Sequence, residues 1–479
     1  MRSAAEESQQ RTGADWRASI LPIFLVFYSF LKEVKVGEPY LYKYQTDYLN
    51  LTAAQITGEI YPFTPYTYMV ALIPIFLLTD LLLYKPTMFT EVLGQIGFRL
   101  SLVFGGSVLS QILGQMAYGI ASASEVAFFS YIYARVEKSQ YRRLTSWTRA
   151  GTMAGRTGGY LFAQLFVLTH LGTLLSLNVV ALALPCVVLL FCIALPRVHW
   201  KAMVGRMLEA KSRVIHEDSS LSPMNVPKTY GAFVRHRLRK FSSDFLAIYR
   251  VGHIRKWSFW WAMTTCMSLQ VALFSQTLWG EVQRRDDGTK AQNPLNGFAE
   301  AAYTFVATLA ILAMNAWPLN WDKWGELALV IISTLDAALL LVYARTESIW
   351  TMYGCYIGYR SLYQVMITIA QWNIAKKMVV ESYGLVFGVN SFVATLMQSV
   401  LTIVVTDERG LGLRVRPQYK IYAVIHFLIA LIFLTSVLCT FGSFLLAKRK
   451  KNTTQNIELA MKNGSKRVWT VSQHQSSVK

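Results

Sequence analysis

The chain has 479 residues, of which 53% are hydrophobic and 15% are charged, whereas a soluble domain usually carries about a quarter charged residues. So few polar groups could not cover a globular surface of this size, and a large soluble α-protein would need amphipathic helices with one charged face. The net charge of +20 sits beside apolar runs, where it reads first as membrane topology and second as contact with anionic lipid heads, not as nucleic-acid binding.

The first 18 residues are polar and show no signal-peptide pattern, so the first retained span serves for insertion. Apolar stretches then lie at about 19–40, 66–84, 90–113, 115–135, 146–170 and 174–195. A basic stretch follows, with 13 Lys/Arg against 4 Asp/Glu between Arg197 and Lys256. Six more apolar stretches lie at 257–280, 296–318, 324–343, 348–374, 384–406 and 419–446. Each is near the length that crosses a hydrocarbon core of ~30 Å. The pattern predicts an all-α membrane protein of the major-facilitator plan, a twelve-helix transporter in which two six-helix bundles rock about a site near the midplane. The expected divisions are a tail at 1–18, a first bundle at 19–196, a basic linker at 197–256, a second bundle at 257–446 and a basic tail at 447–479.

Lysine and arginine set the orientation. With a cytoplasmic start, the inner side receives Lys85, the group Arg135 to Arg143, the linker, Lys323, Lys376, Lys377 and the tail from Lys448. Both termini are then cytoplasmic, with Arg414, Arg416 and Lys420 departing mildly from the rule. Asn50-Leu51-Thr52 is a glycosylation sequon on the first outer loop. The sequons at Asn452 and Asn463 fall on the inner tail, where they stay unmodified.

Enzyme chemistry finds no support. The seven histidines form no HExxH, and neither a GxSxG nor a P-loop occurs. The five cysteines lie in apolar segments without a CxxC pair, which disfavours a disulfide framework or a zinc site. No cofactor or metal is expected. Without a nucleotide site, transport must draw on a gradient or on exchange, and a proton or an organic counter-ion fits embedded carboxylates equally.

A charge near the bilayer centre is costly, so it faces a cavity or a partner. Glu125 lies mid-way along the fourth stretch, with Tyr118, Ala121, Ser122, Phe128 and Phe129 on its helical face. A carboxylate among rings suits an organic cation; the alternative is an ion pair with an arginine of another helix. Arg360, in the tenth stretch with Tyr356 and Tyr363 near its face, either binds an anionic substrate group or partners a carboxylate. The run Ile20–Leu31 is too short to span alone, so Lys32, Glu33, Lys35 and Glu38 form a polar outer half of span one or begin a loop, and Pro39 weakens the helix there. Asn296 and Glu300 share a face of the eighth stretch, and Gln398 is mid-span in the eleventh; such groups contact substrate or bond between helices. Arg99, Arg156, Glu326 and Asp336 lie nearer predicted span ends and read as structural or gating charges.

Several motifs in order resemble one family, the reduced folate carriers and thiamine transporters. They include Glu38-Pro39-Tyr40-Leu41 before the Asn50 sequon, Leu77-Leu78-Thr79-Asp80 before Tyr84-Lys85-Pro86, and Ser124-Glu125-Val126-Ala127 before Tyr131-Ile132-Tyr133. Asn320-Trp321-Asp322, Gly325 to Leu329, Leu385 to Asn390 and Asp407 to Leu411 continue the match. The similarity covers about 20–195 and 257–446.

The resemblance implies vitamin uptake at the plasma membrane by a multi-pass glycoprotein, without ATP hydrolysis. Folate members place basic groups in spans four, ten and eleven; thiamine members place a glutamate in span four and a glutamine in span eleven. Glu125, Arg360 and Gln398 stand at those positions, so two of the three look thiamine-like. Glu38 and Asn296 also resemble the thiamine members. Phe128 stands where those members carry tyrosine, Thr64 where they show tryptophan, and Arg360 where they tend to lysine. With Tyr118, Glu300 and Tyr363 added from helical spacing, the expected substrate-binding set is Glu38, Thr64, Tyr118, Glu125, Phe128, Asn296, Glu300, Arg360, Tyr363 and Gln398. Glu125 would repel the two carboxylates of folate and attract the thiazolium of thiamine, which favours thiamine or a related cation. A folate transporter of the same family and a transporter-like receptor or sensor are the rival readings.

Overall fold

The computed structural model describes residues 20–52, 55–136, 138–201, 203–204, 229–287, 295–316, 321–378, 382–406 and 410–439. The two tails with the Asn452 and Asn463 sequons, most of the linker and residues 407–409 lie outside the described residues.

Each of the twelve apolar stretches contains helix among its described residues. In the first half of the chain the helices are α1 (Ile20–Lys32), α2 (Leu41–Asp47), α3 (Phe63–Thr79), α4 (Lys85–Phe104), α5 (Val108–Ser124), α6 (Val126–Arg135), α7 (Tyr141–Leu168) and α8 (Leu174–Ala194). The linker contributes α9 (Tyr230–Arg250). The second half holds α10 (Gly252–Asp287), α11 (Asn296–Ala316), α12 (Trp321–Arg345), α13 (Ile349–Lys377), α14 (Tyr383–Val405) and α15 (Val415–Cys439).

Among the described residues, five helices are long and apolar enough to cross a membrane by length and composition: α8, α11, α12, α14 and α15. The clearest is α8, with a mean hydropathy of 2.7 and a start fixed by Thr173, whose hydroxyl accepts from the Ser176 N–H. Longer helices such as α7 fall short because they carry charges, Arg149 and Arg156 among them. Those charges face the protein interior, where they cost less than in lipid.

Two spans differ in shape from the sequence expectation. Span one is not one helix to residue 40. It stops at Lys32, unwinds through Glu33 to Gly37, and resumes as a 3-10 turn at Glu38–Tyr40 and then α2. Irregular backbone at this depth is tolerated where protein surrounds it. Span four starts earlier than expected, at Val108, and tightens at Glu125. There the Glu125 N–H donates to the Ser122 carbonyl and the Phe128 N–H to the Glu125 carbonyl, a three-residue spacing that separates α5 from α6.

The unwound part of span one is admitted by a small-residue stripe. Gly151, Gly155 and Gly159 repeat every fourth residue along α7 and face residues 26–35. A Cβ on Gly159 would stand 2.7 Å from the Lys35 nitrogen, and one on Gly155 would overlap the Phe30 carbonyl. Glycine at this repeat lets two backbones approach.

The two halves meet along α7 with α11 and α13, and along α3 with α14. The Thr157 and Thr304 hydroxyls bond at 2.8 Å across the first seam. At the linker end the halves are sealed. Asp80 accepts the Gly384 and Leu385 N–H groups, Arg237 of α9 donates to the Ser382 hydroxyl at 2.8 Å, and the Tyr141 and Tyr383 hydroxyls lie 2.9 Å apart. Beneath that seal, Tyr133, Tyr383, Phe387 and Trp261 belong to one buried cluster.

Candidate substrate site

Above the aromatic seal lies a cavity of about 260 Å³ between the halves. Glu125, Phe129, Tyr68, Arg149 and Arg156 face it from the first half, and Trp261, Arg360, Tyr363 and Phe387 from the second. Its aromatic wall is ordered by ring contacts, with Trp261 and Phe387 stacked at 5.4 Å.

The Glu125 side chain is 36% exposed, open to the cavity. Among the described residues the cation within 4 Å of it is Lys32, at 3.9 Å. That ammonium is only 5% exposed and is already held by Glu91 at 2.6 Å. Glu125 is therefore a carboxylate whose nearest counter-charge is committed elsewhere.

The opposite charge is also present. Arg149 donates through Nε to Gln371 at 2.9 Å and lies 4.3 Å over the Phe129 ring. Arg360 donates to the Ser268 hydroxyl at 2.8 Å and to Tyr303 at 3.3 Å. Neither arginine has a carboxylate within 4 Å among the described residues. Arg156 does: its Nε donates to Glu33 at 2.9 Å.

Toward the sequon end, the unwound segment carries a second set of charges. Glu38 lies 3.5 Å from Lys35 and 3.8 Å from Arg99, and accepts from Tyr118 at 3.0 Å and Tyr160 at 3.4 Å. On α11, Asn296 accepts from Tyr353 at 2.6 Å and Glu300 from Tyr356 at 2.7 Å.

The ten residues expected from sequence thus fall into several places. Glu125, Arg360 and Tyr363 line the cavity. Glu38 and Tyr118 form one polar cluster, and Asn296 and Glu300 another. Thr64 bonds through its hydroxyl to Gln115. Phe128 is fully buried against Tyr28, with Lys32 5.1 Å over its ring, and its neighbour Phe129 takes the cavity wall. Gln398 is half-buried on α14, two turns beyond the cavity residue Ser391. Of the charges read as structural or gating, Arg156 lines the cavity; it lies mid-way along α7, which begins at Tyr141, five residues before the expected start. Glu326 pairs with Lys256 at 2.8 Å, and Asp336 lies 3.9 Å from His426, both away from the cavity. Sequence reasoning passed over Glu91 and Arg149. The rule that an intramembrane charge marks function would have found both, had the span edges been placed correctly.

The reduced folate carrier family model matches residues 15–421. The chain belongs to that family. Folate-like transporter 2 of Caenorhabditis elegans is 35% identical over 415 residues, 87% of this chain and 94% of the relative. Thiamine transporter 1 of Mus musculus is 35% identical over 448 residues, 86% of this chain and 88% of the relative. Among solved structures, the major-facilitator proton:xylose symporter is similar at a TM-score of 0.57 and 11% identity, covering 88% of this chain and 96% of the symporter. At that identity the likeness concerns the fold, and the fold of this carrier is of the major-facilitator type. Family membership makes the protein a membrane transporter and not an enzyme.

Proposed function

We propose that this carrier moves a vitamin, and that its substrate is thiamine or a related organic cation taken up across the plasma membrane by alternating access. The observation that supports the cation is Glu125. Its carboxylate opens on the cavity between the halves, its nearest ammonium is held by Glu91, and Phe129, Tyr68 and Tyr363 line the same space. A cationic ring there gains both charge attraction and contact with aromatic faces. We assign the Glu38 and Asn296 clusters, which lie outside the cavity lining, to substrate entry.

The test is saturable uptake of labelled thiamine by expressing cells, with surface protein measured in parallel. Glu125→Gln is expected to abolish that uptake at unchanged surface level. Normal uptake by this variant would sink the reading.

A second reading, folate transport, draws on Arg149 and Arg360, which face the cavity without a carboxylate within 4 Å among the described residues. Labelled thiamine and labelled folate, offered in competition to the same cells, separate the two. Coupling to a proton or to an organic counter-ion is compatible with either substrate; imposing a pH gradient on reconstituted vesicles tests the first.

For orientation, we place the linker and both termini in the cytoplasm and Asn50 outside. Asn50 is exposed and has φ 54°, a left-handed conformation that asparagine tolerates. A mobility shift on deglycosylation that Asn50→Gln removes would support this; its absence would count against it.

A further inference from the structure

We propose that Glu91 is a positioning residue for the cation site: it holds the Lys32 ammonium away from Glu125 and so keeps that carboxylate free for substrate. The inference rests on the reading of Glu125 as the counter-charge of a cation and extends it to a residue outside the cavity wall.

Three carboxylates surround Lys32, the last residue of α1. Glu91 of α4 is 2.6 Å from its Nζ, Glu125 3.9 Å and Glu33 4.0 Å. Glu33 is engaged by Arg156 at 2.9 Å and by Lys35 at 3.4 Å. A buried ammonium requires a counter-charge, because desolvation penalises it unless it is paired. Lys32 therefore has two carboxylates to choose between, Glu91 and Glu125. The present geometry selects Glu91, which is itself only 4% exposed.

Remove the charge at position 91 and the choice disappears. A shift of about 1 Å brings Nζ from 3.9 Å into contact distance of Glu125. Glu125 would then be neutralised from within, and an entering cation would have to displace a tethered ammonium. Lys32 and Glu91 together set how negative the site is, although neither lines the cavity.

This arrangement predicts a split between affinity and turnover. In full-length protein expressed in cells, Glu91→Gln should raise the KM for thiamine about tenfold or more. Vmax per surface copy should stay within about twofold. Glu91→Asp keeps the charge and should lie near the unsubstituted protein. The decisive variant is Lys32→Met/Glu91→Gln, which removes the competing ammonium with its partner. Its KM should return toward that of the unsubstituted chain, even where Glu91→Gln alone fails to reach the surface. An unchanged KM in Glu91→Gln, or a double variant with a KM as high as the single, would overturn the proposal. The outcome for Glu125→Gln is separate. If that variant transports normally, the cation reading itself fails. If it is inactive while Glu91→Gln behaves as the unsubstituted protein, only the positioning role fails.

Discussion

Asp80, the residue that ends α3, accepts the backbone N–H groups of Gly384 and Leu385 at 3.1 Å each, so a carboxylate from the first half caps the first turn of α14 in the second. A negative charge at a helix N-terminus satisfies otherwise unpaired donors and complements the helix dipole. Arg237 and the Tyr141–Tyr383 contact reinforce the same junction. Separating the halves at the linker end breaks the Asp80 and Tyr141–Tyr383 bonds, which cross between them.

Asp80→Asn is therefore expected to shift the carrier toward the linker-open state. A loss of about 1–2 kcal/mol, the usual scale of a cap, changes the ratio of states by roughly 5- to 30-fold. The readout is a cysteine introduced at Ser391, a cavity residue, in a chain whose native cysteines are replaced by alanine. Impermeant thiol reagent applied from the linker side should label it faster in Asp80→Asn. Equal labelling rates would remove Asp80 from the gate.

The glycine stripe of α7 provides an internally controlled pair. A Cβ at Gly155 would overlap the Phe30 carbonyl, whereas one at Gly158 would have nothing within 4 Å. Overpacking against backbone costs about 1–3 kcal/mol, and glycine inside a helix costs up to ~1 kcal/mol relative to alanine. Gly155→Ala should lower the melting temperature of the detergent-purified protein and reduce uptake. Gly158→Ala should leave melting unchanged or raise it. If the two variants melt alike, the close approach of span one to α7 is not what requires glycine.

The parts of this architecture that depend on composition were legible in the sequence. Helices occupy all twelve apolar stretches, and Glu125 stood out because a lone carboxylate in an apolar run is expensive wherever the run is placed. Glu91 and Arg149 were harder to see because they stand at span edges. The apolar signal fades over several residues, so starts expected at 90 and 146 appear at Lys85 and Tyr141, and charges near the edge become interior ones. Phe128 and Phe129 illustrate a different limit. Adjacent residues on a helix point about 100° apart, and the tightened turn at Glu125 decides which ring meets the cavity. The choice of Glu91 over Glu125 by Lys32 depends on where α4 stands relative to α1, and no periodicity carries that information.

The pairing of Glu33 with Arg156 offers the sharpest test of the unwound segment. Glu33 is 2% exposed and lies 2.9 Å from Arg156 Nε and 3.4 Å from Lys35 Nζ. Removing its charge leaves two inward-facing cations without that partner, and breaking a buried pair costs about 3–5 kcal/mol. That is a large share of the 5–15 kcal/mol by which folded proteins are typically stable. Glu33→Gln should therefore melt well below the unsubstituted protein and reach the cell surface poorly. Arg156→Gln should also destabilise, because it leaves Glu33 with the more distant Lys35. If the two act as one pair, Glu33→Gln/Arg156→Gln should recover part of the loss, with a coupling energy above ~1 kcal/mol in the double-mutant cycle. Thermal melting in detergent provides all four corners of that cycle. Simple additivity would mean that Glu33 and Arg156 are stabilised by separate neighbours, and the unwound part of span one would then be anchored by the Lys35 and Glu38 contacts alone.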